Sequence, residues 1–201
     1  MRIIEALKNG DRDNIKAAIE AEGVTIKDEY GNSPIHYAAI SGNVDAIDLL
    51  VAAGALVDEL NNLKETALMK AVSHQRTEAA RKLLDSKANP NIQDIEGYTS
   101  VHRAALNNDL SLIEMLNKYE GKLDITTKDG DTVMHCAALG WVEDSSKDWA
   151  LIDWLLSKNA DYNLENTYSI KPEDTFNKED LSYGEIFQEH VREILGDTES
   201  H

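Results

Sequence analysis

The sequence predicts an all-α solenoid, about five stacked helical units closed by a C-terminal helix. Three observations predict it. Four phrases recur in register: SPIHYAA from Ser33, TALMKAV from Thr66, TSVHRAA from Thr99 and TVMHCAA from Thr132, with starts 33 residues apart. A fixed period of this size marks stacked repeats. Apolar residues fall at helical spacing inside each unit: Ile35, Ala38 and Ala39 form one stripe, and Ala46, Leu49 and Leu50 the next. The 201 residues are 42% hydrophobic with only 3 prolines and 2 phenylalanines, and Leu, Ile and Ala dominate, which favours helices over linkers.

The first unit is a partial copy. IEALKNGDRDNIKAAIEAEG resembles IHYAAISGNVDAIDLLVAAG, and a shift of one residue places Gly10 under Gly42 and Ile15 under Ile47. Its polar Arg12, Asp13 and Lys16 suit the solvated end of an array. In the next four units, Ser33 or a threonine caps the first helix, and Pro34 follows the cap once. Gly31, Gly97 and Gly130 stand two residues before the phrase, with Lys64 in the third unit. A turn needing positive φ belongs there. Asp28 and Asp94 stand five before, with Asn61 and Thr127 in the other units. Leu49–Leu50 and Leu83–Leu84 mark the second helices.

The fifth unit slips. WVEDSSKDW (141–149) places Trp141 where Gly42 stands in the second unit, and aligning Asn159–Ala160 with Gly54–Ala55 leaves six extra residues. Insertions of this kind map to a loop on one face of a solenoid and are often functional. Trp141 and Trp149 either pack that loop down or present an anchor to a partner, while Trp154 belongs to the core stripe. After Leu164 the phrase decays, and SIKPED resembles the degraded start of a further unit. Ser182-x-x-Glu185 reads as a capping box, followed by the stripe Ile186, Phe187, His190, Val191, Ile194 and Leu195, and Gly196 ends it. From Lys171 on there are nine acidic and three basic residues, so this end holds −6 of the charge. It is either a cap or a docking helix.

The phrases resemble the ankyrin-repeat pattern T-P-L-H-x-A with its period of 33. The resemblance covers roughly residues 1–170, with units near 1–31, 32–64, 65–97, 98–130 and 131–169. An acidic cap follows over 171–201, with a helix near 183–195. The resemblance implies two antiparallel helices and a β-turn finger per unit, stacked into a curved solenoid. It also implies that His36, His102 and His135 bond the backbone of a neighbouring finger, with Met69 as the substitute. Recognition would use finger tips and inner helices on the concave face. Carried over, these are Glu29, Tyr30, Asn32, Tyr37 and Ser41; Asn62, Leu63, Glu65, Lys70 and His74; Ile95, Glu96, Tyr98, Arg103 and Asn107; and Lys128, Asp129, Asp131 and Cys136. The insertion adds Trp141, Glu143 and Asp144. Tyrosine is a frequent interface anchor, and carboxylates around it suit basic groups on a partner.

Catalysis finds little support. One histidine per unit makes a poor metal site, because packed helices sit about 8–10 Å apart and zinc needs ligands at about 2 Å. Cys136 beside His135 lacks an orienting third group and reads as an ordinary half-exposed thiol. Acid pairs such as Asp129–Asp131 follow from 37 acidic residues. There is no glycine-rich phosphate loop, HExxH or GxSxG. No catalytic residue, metal or cofactor is expected.

The net charge of −17 disfavours nucleic acid and anionic membranes and attracts a basic partner, or serves solubility alone. A single cysteine allows no internal disulfide, and neither a signal peptide nor a membrane span is visible, so a cytoplasmic protein, monomeric when free, is expected. The functional expectation is a non-enzymatic module that engages a basic protein and inhibits or sequesters it, as an immunity or antitoxin protein does a toxic enzyme. The rival is an adaptor or secreted effector tethering a cellular or host protein.

Overall fold

A hydroxyl starts the first helix of the second to fifth units, and the residue three positions on locks it. In the computed structural model, which describes residues 2–9, 12–143, 148–178 and 182–196, the Thr66 hydroxyl accepts from the Met69 amide at 3.2 Å. Where the third residue is histidine the lock is reciprocal. The Ser33, Thr99 and Thr132 amides donate to Nδ1 of His36, His102 and His135 at 3.2, 3.2 and 3.1 Å. An Nδ1 that accepts carries no proton, so Nε2–H is the donor; in His36 it donates to the Glu65 carbonyl at 3.0 Å and in His135 to the Ile170 carbonyl at 2.9 Å. His36 and His135 thus join the start of one unit to the finger of the next.

Helices follow in pairs: α1 Arg2–Asn9 and α2 Arg12–Glu22, α3 Pro34–Ser41 and α4 Val44–Ala52, α5 Ala67–Ser73 and α6 Thr77–Asp85, α7 Ser100–Leu106 and α8 Leu110–Lys118, α9 Val133–Glu143 and α10 Ala150–Ser157. A 3₁₀ turn, Pro172–Lys178, precedes α11, Ser182–Leu195. Among the described residues there is no β-strand. The first helices α1, α3, α5, α7 and α9 pack in that order as an inner row, and the 3₁₀ turn continues the row. Alanine makes the close stacking possible: Ala38, Ala39, Ala71, Ala104, Ala105, Ala137 and Ala138 are all 0% exposed. At the first end, the Glu22 carboxylate of α2 accepts from the Arg2 and Ile3 amides at 3.0 and 3.2 Å, closing the α1 N-terminus.

The turn between paired helices explains the slip at residue 141. It passes through a left-handed residue: Gly42 at φ 73°, Gln75 at 54° and Asn108 at 51°. A bulky aromatic at that position is costly in left-handed backbone. Trp141 stays helical instead, and α9 runs 11 residues where α3 has 8 and α5 and α7 have 7. Gly140 accommodates the longer helix: a Cβ there would lie 2.5 Å from the Ala105 carbonyl oxygen on α7. The next helix, α10, begins at Ala150.

The insertion shifts the register without ending it. Asn166 follows Thr127 by 39 positions instead of 33. Its amide bonds the Ile170 carbonyl at 2.9 Å, as the Asp94 amide bonds Tyr98 at 2.9 Å. Asp174 then accepts from the Lys171 amide at 2.9 Å, the part that histidine Nδ1 plays elsewhere. The C-terminal segment is built as a shortened sixth unit of finger, 3₁₀ turn and α11. It is fastened by aromatic stacking. Trp141 and Trp149 stack at 4.4 Å, and Trp149 stacks on His190 of α11 at 4.4 Å. His190 Nε2 reaches Asp153 Oδ1 at 2.6 Å. Phe187 beside them is 0% exposed.

Two tryptophan expectations change as a result. Trp141, left open between packing and presentation, is 3% exposed because Trp149 covers it. Trp154, assigned to the core, is half-buried, with the Lys158 ammonium 5.5 Å above its ring. Among the described residues, no helix is long and apolar enough to cross a membrane.

Candidate partner-binding face

Each finger is braced by one side chain at its base. Asp28 Oδ1 accepts from the Tyr30 and Asn32 amides at 2.9 and 2.7 Å. Asn61, Asp94 and Asn166 repeat the arrangement two and four residues on, at 2.9–3.1 Å, and the Thr127 hydroxyl accepts from Asp131 alone at 3.0 Å. Glycine at the fourth place gives the turn its sign. Gly31, Gly97 and Gly130 have φ of 77°, 90° and 80°. A Cβ on Gly97 would also stand 2.7 Å from the Lys128 amide nitrogen of the next finger. Adjacent tips are stitched together: the Asn62, Ile95, Lys128 and Thr167 amides donate to the Tyr30, Leu63, Glu96 and Asp129 carbonyls at 3.0, 2.9, 3.0 and 2.8 Å.

The tips form one edge of mixed character. Tyr30 is 65% exposed, Leu63 53% and Ile95 39%, while Glu29, Glu96 and Asp129 are exposed acids among them. His74 is also exposed, its Nδ1 2.9 Å from the Lys70 carbonyl.

Behind the tips, the inner helices carry a second column whose polar ends turn inward. The Tyr37 hydroxyl donates to Asp28 at 2.6 Å, and this bond, with burial, pushes the phenol up to about 12. Lys70 pairs with Glu65. Arg103 spans two units, reaching Asp94 at 2.5 Å and Glu65 at 3.1 Å. Burial opposes the Glu65 charge, but Lys70, Asn61 and Arg103 outweigh it and hold the carboxyl below its usual range. The Asn107 amide donates to the Val72 carbonyl at 3.0 Å, and the Asn32 side chain accepts from Asn61 at 3.0 Å.

Several candidates are therefore internal supports. Glu65 is buried and triply bonded, so it is not offered to a partner; Arg103, Tyr37, Asn32 and Asn107 are half-buried and bonded within the chain. Trp141 is buried, as above. The Glu143 side chain and all of Asp144 lie outside the described residues. Cys136, expected half-exposed, is 3% exposed, and burial, with Asp131 beside it, pushes its thiol up. Such a thiol is a poor nucleophile. Among the described residues no group of three or more His, Cys, Asp or Glu is placed to hold a metal ion.

At the far end of this face the inner column opens into a cavity of about 230 Å³. Tyr98, Leu106, Leu139 and Ile170 give it apolar walls, and Asp129, Asp131 and Asp174 line it as well. Tyr98 is half-buried; burial first, then charges including Asp131 and Asp129, push its phenol up to about 12. Asp131 Oδ1 accepts from Asn166 at 2.7 Å, and Asp129 Oδ1 from the Tyr168 hydroxyl at 3.2 Å. Tyr168 (67% exposed) and Leu139 (42%) were missed in the sequence. The signal for Tyr168 was the register: it stands 39 positions after Asp129 once the six inserted residues are counted. Leu139 follows Leu106 by one period of 33.

Residues 3–94 match the family model for ankyrin repeats, in three copies. Among curated proteins, an E3 ubiquitin-protein ligase of Arabidopsis thaliana is 31% identical over 119 residues, 57% of this chain and 23% of the ligase. The B-cell lymphoma 3 protein of Homo sapiens is 32% identical over 121 residues, 56% of this chain and 27% of that protein. Inversin of Mus musculus is 28% identical over 137 residues, 66% of this chain and 13% of inversin. The matched region thus spans about a quarter or less of these relatives.

Proposed function

Because this chain belongs to the ankyrin-repeat family, whose repeats generally mediate protein–protein interaction, we propose that its finger-and-inner-helix face engages a basic protein and holds it inactive. One observation carries the reading: the stitched finger tips align exposed Tyr30 and Leu63 with exposed Glu29, Glu96 and Asp129 on a single edge. Aromatic and aliphatic tips supply area, and the acids supply steering and partner choice. The net charge of −17 extends that field. The ankyrin fold is typically a non-enzymatic binding module, and we assign no reaction to this one. An immunity or antitoxin role against a toxic enzyme fits this mode of action, as does cytoplasmic work as a free monomer.

A second reading, an adaptor or effector that tethers its target without silencing it, draws on the apolar tips Tyr30, Leu63 and Ile95. Salt separates the two. The test is capture from the source cell's lysate, then titration calorimetry with the captured protein at low and high salt. It compares wild type with a Glu29→Lys/Glu96→Lys/Asp129→Lys variant. A basic partner whose affinity falls at least about tenfold on charge reversal, and whose activity is lost on binding, is the expected result. An acidic partner, or equal affinity for the reversed variant, overturns it.

A further inference from the structure

Residues 37, 70, 103 and 136 occupy one column at a spacing of 33, and the first three fill it with Tyr37, Lys70 and Arg103. Each of these reaches a finger acid: Tyr37 meets Asp28, Lys70 meets Glu65, and Arg103 meets Asp94 and Glu65. In the fifth unit the column holds Cys136, too short to reach anything comparable. Asp131 stands in that unit where Glu65 stands in the third. Glu65 has Lys70 and Arg103 on it; Asp131 has the neutral amide of Asn166. The volume that a long basic side chain would fill is the cavity of about 230 Å³.

We propose that this cavity takes an arginine side chain from the bound protein, with its methylenes between Tyr98, Leu106 and Leu139 and its guanidinium on Asp131 and Asp129. The proposal rests on the binding face argued above and narrows its partner to one that presents an arginine in an exposed segment. The chain itself supplies the precedent: one unit earlier in the same column, Arg103 makes this kind of two-carboxylate contact from within the molecule. An arginine suits it because the rigid fork of its guanidinium can engage two carboxylates while its aliphatic stem lies on apolar walls. The pattern is that of three sockets filled internally and a fourth left for a guest.

The test uses amide NMR on the full chain, titrated with the peptide acetyl-Gly-Arg-Gly-amide and with its citrulline counterpart, which keeps the shape and removes the charge. Wild type should shift at and around Asp131, Cys136 and Leu139 with the arginine peptide, and respond at least about tenfold more weakly to citrulline. Asp131→Asn keeps an acceptor for Asn166 and should lose most of the response. Cys136→Arg should fill the socket from within and abolish it. If that variant does not fold, Asp131→Asn decides alone. Equal response to citrulline, or an undiminished response in Asp131→Asn, overturns the proposal. Shifts confined to the Tyr30 and Leu63 tips would overturn the socket and leave the wider binding face standing. Silence here with intact charge-dependent capture of a basic protein would do the same.

Discussion

Arg103 and Cys136 hold the same place in consecutive units and produce opposite surfaces. Around Arg103 the inner column is closed: its guanidinium joins Asp94 and Glu65, and Lys70 completes the set. Around Cys136 the column is open, walled by Tyr98 and Leu139. The two units differ again at the helix turn. Asn108 takes the left-handed conformation that Trp141 refuses, so the fourth pair is joined tightly and the fifth through an insertion. The regular units are held by bonds repeated at every period. The fifth keeps the finger stitches and the histidine lock, but its helices are fastened by a stack of rings found once among the described residues. The lesson is that one repeat can leave the pattern if a single-use contact replaces what the pattern supplied.

The largest expected effect comes from removing that contact. Trp149→Ala deletes the ring lying between Trp141 and His190, and large aromatic truncations cost about 3–5 kcal/mol. Because repeat arrays are stabilised by neighbours, the loss should be local. Hydrogen exchange should accelerate in α10 and α11 and stay unchanged in α3 and α4; uniform acceleration would mean that the stack supports the whole array.

Acid should work in the other direction, on the regular units first. Burial pulls the His102 imidazole down to about 4, so between about pH 6.5 and 4 the unfolded chain binds the proton that the folded chain excludes. This contribution is present above the unfolded pKa and is lost as pH falls through that window, by roughly 3 kcal/mol at most. Burial lowers His36 as well. Urea unfolding at several pH values should show stability rising with pH there. His102→Met, copying Met69 of the third unit, should flatten the slope; an unchanged slope would move the dependence to other groups.

The smallest effect sharpens the pattern. Lys64 sits at φ 58° where three other units have glycine. Lys64→Gly removes the left-handed strain and should raise stability by about 0.5–1 kcal/mol, less what added chain freedom takes back. A higher thermal midpoint checks it, and a fall would mean the lysine side chain makes a contact that outweighs the strain.

Repeats were legible in the sequence because every unit solves one local problem with the same residues. Ser33 and Thr99 mark helix starts, and Gly31 and Gly97 mark positive φ, without reference to anything distant. The face was legible as columns, since a period of 33 fixes which residues share one. Whether a column member faces a partner or a neighbour was not. Glu65 and Arg103 lie 38 positions apart, and only the packed array shows that they meet. Trp141 read ambiguously for the same reason, because α11, which holds His190 and Phe187 near its partner Trp149, comes from a segment where the repeat phrase has decayed. Cys136 was placed half-exposed by its column, but it is 3% exposed beside the cavity that Tyr98 and Leu139 wall.

Arg103 has a mechanical meaning as well. Adjacent finger tips in this array are tied by single backbone bonds, each joining one turn to the next. Arg103 binds carboxylates of the third and fourth units at once. It works as a rivet through two plates: a shearing load that would separate the third and fourth fingers must first pull a guanidinium off two buried acids.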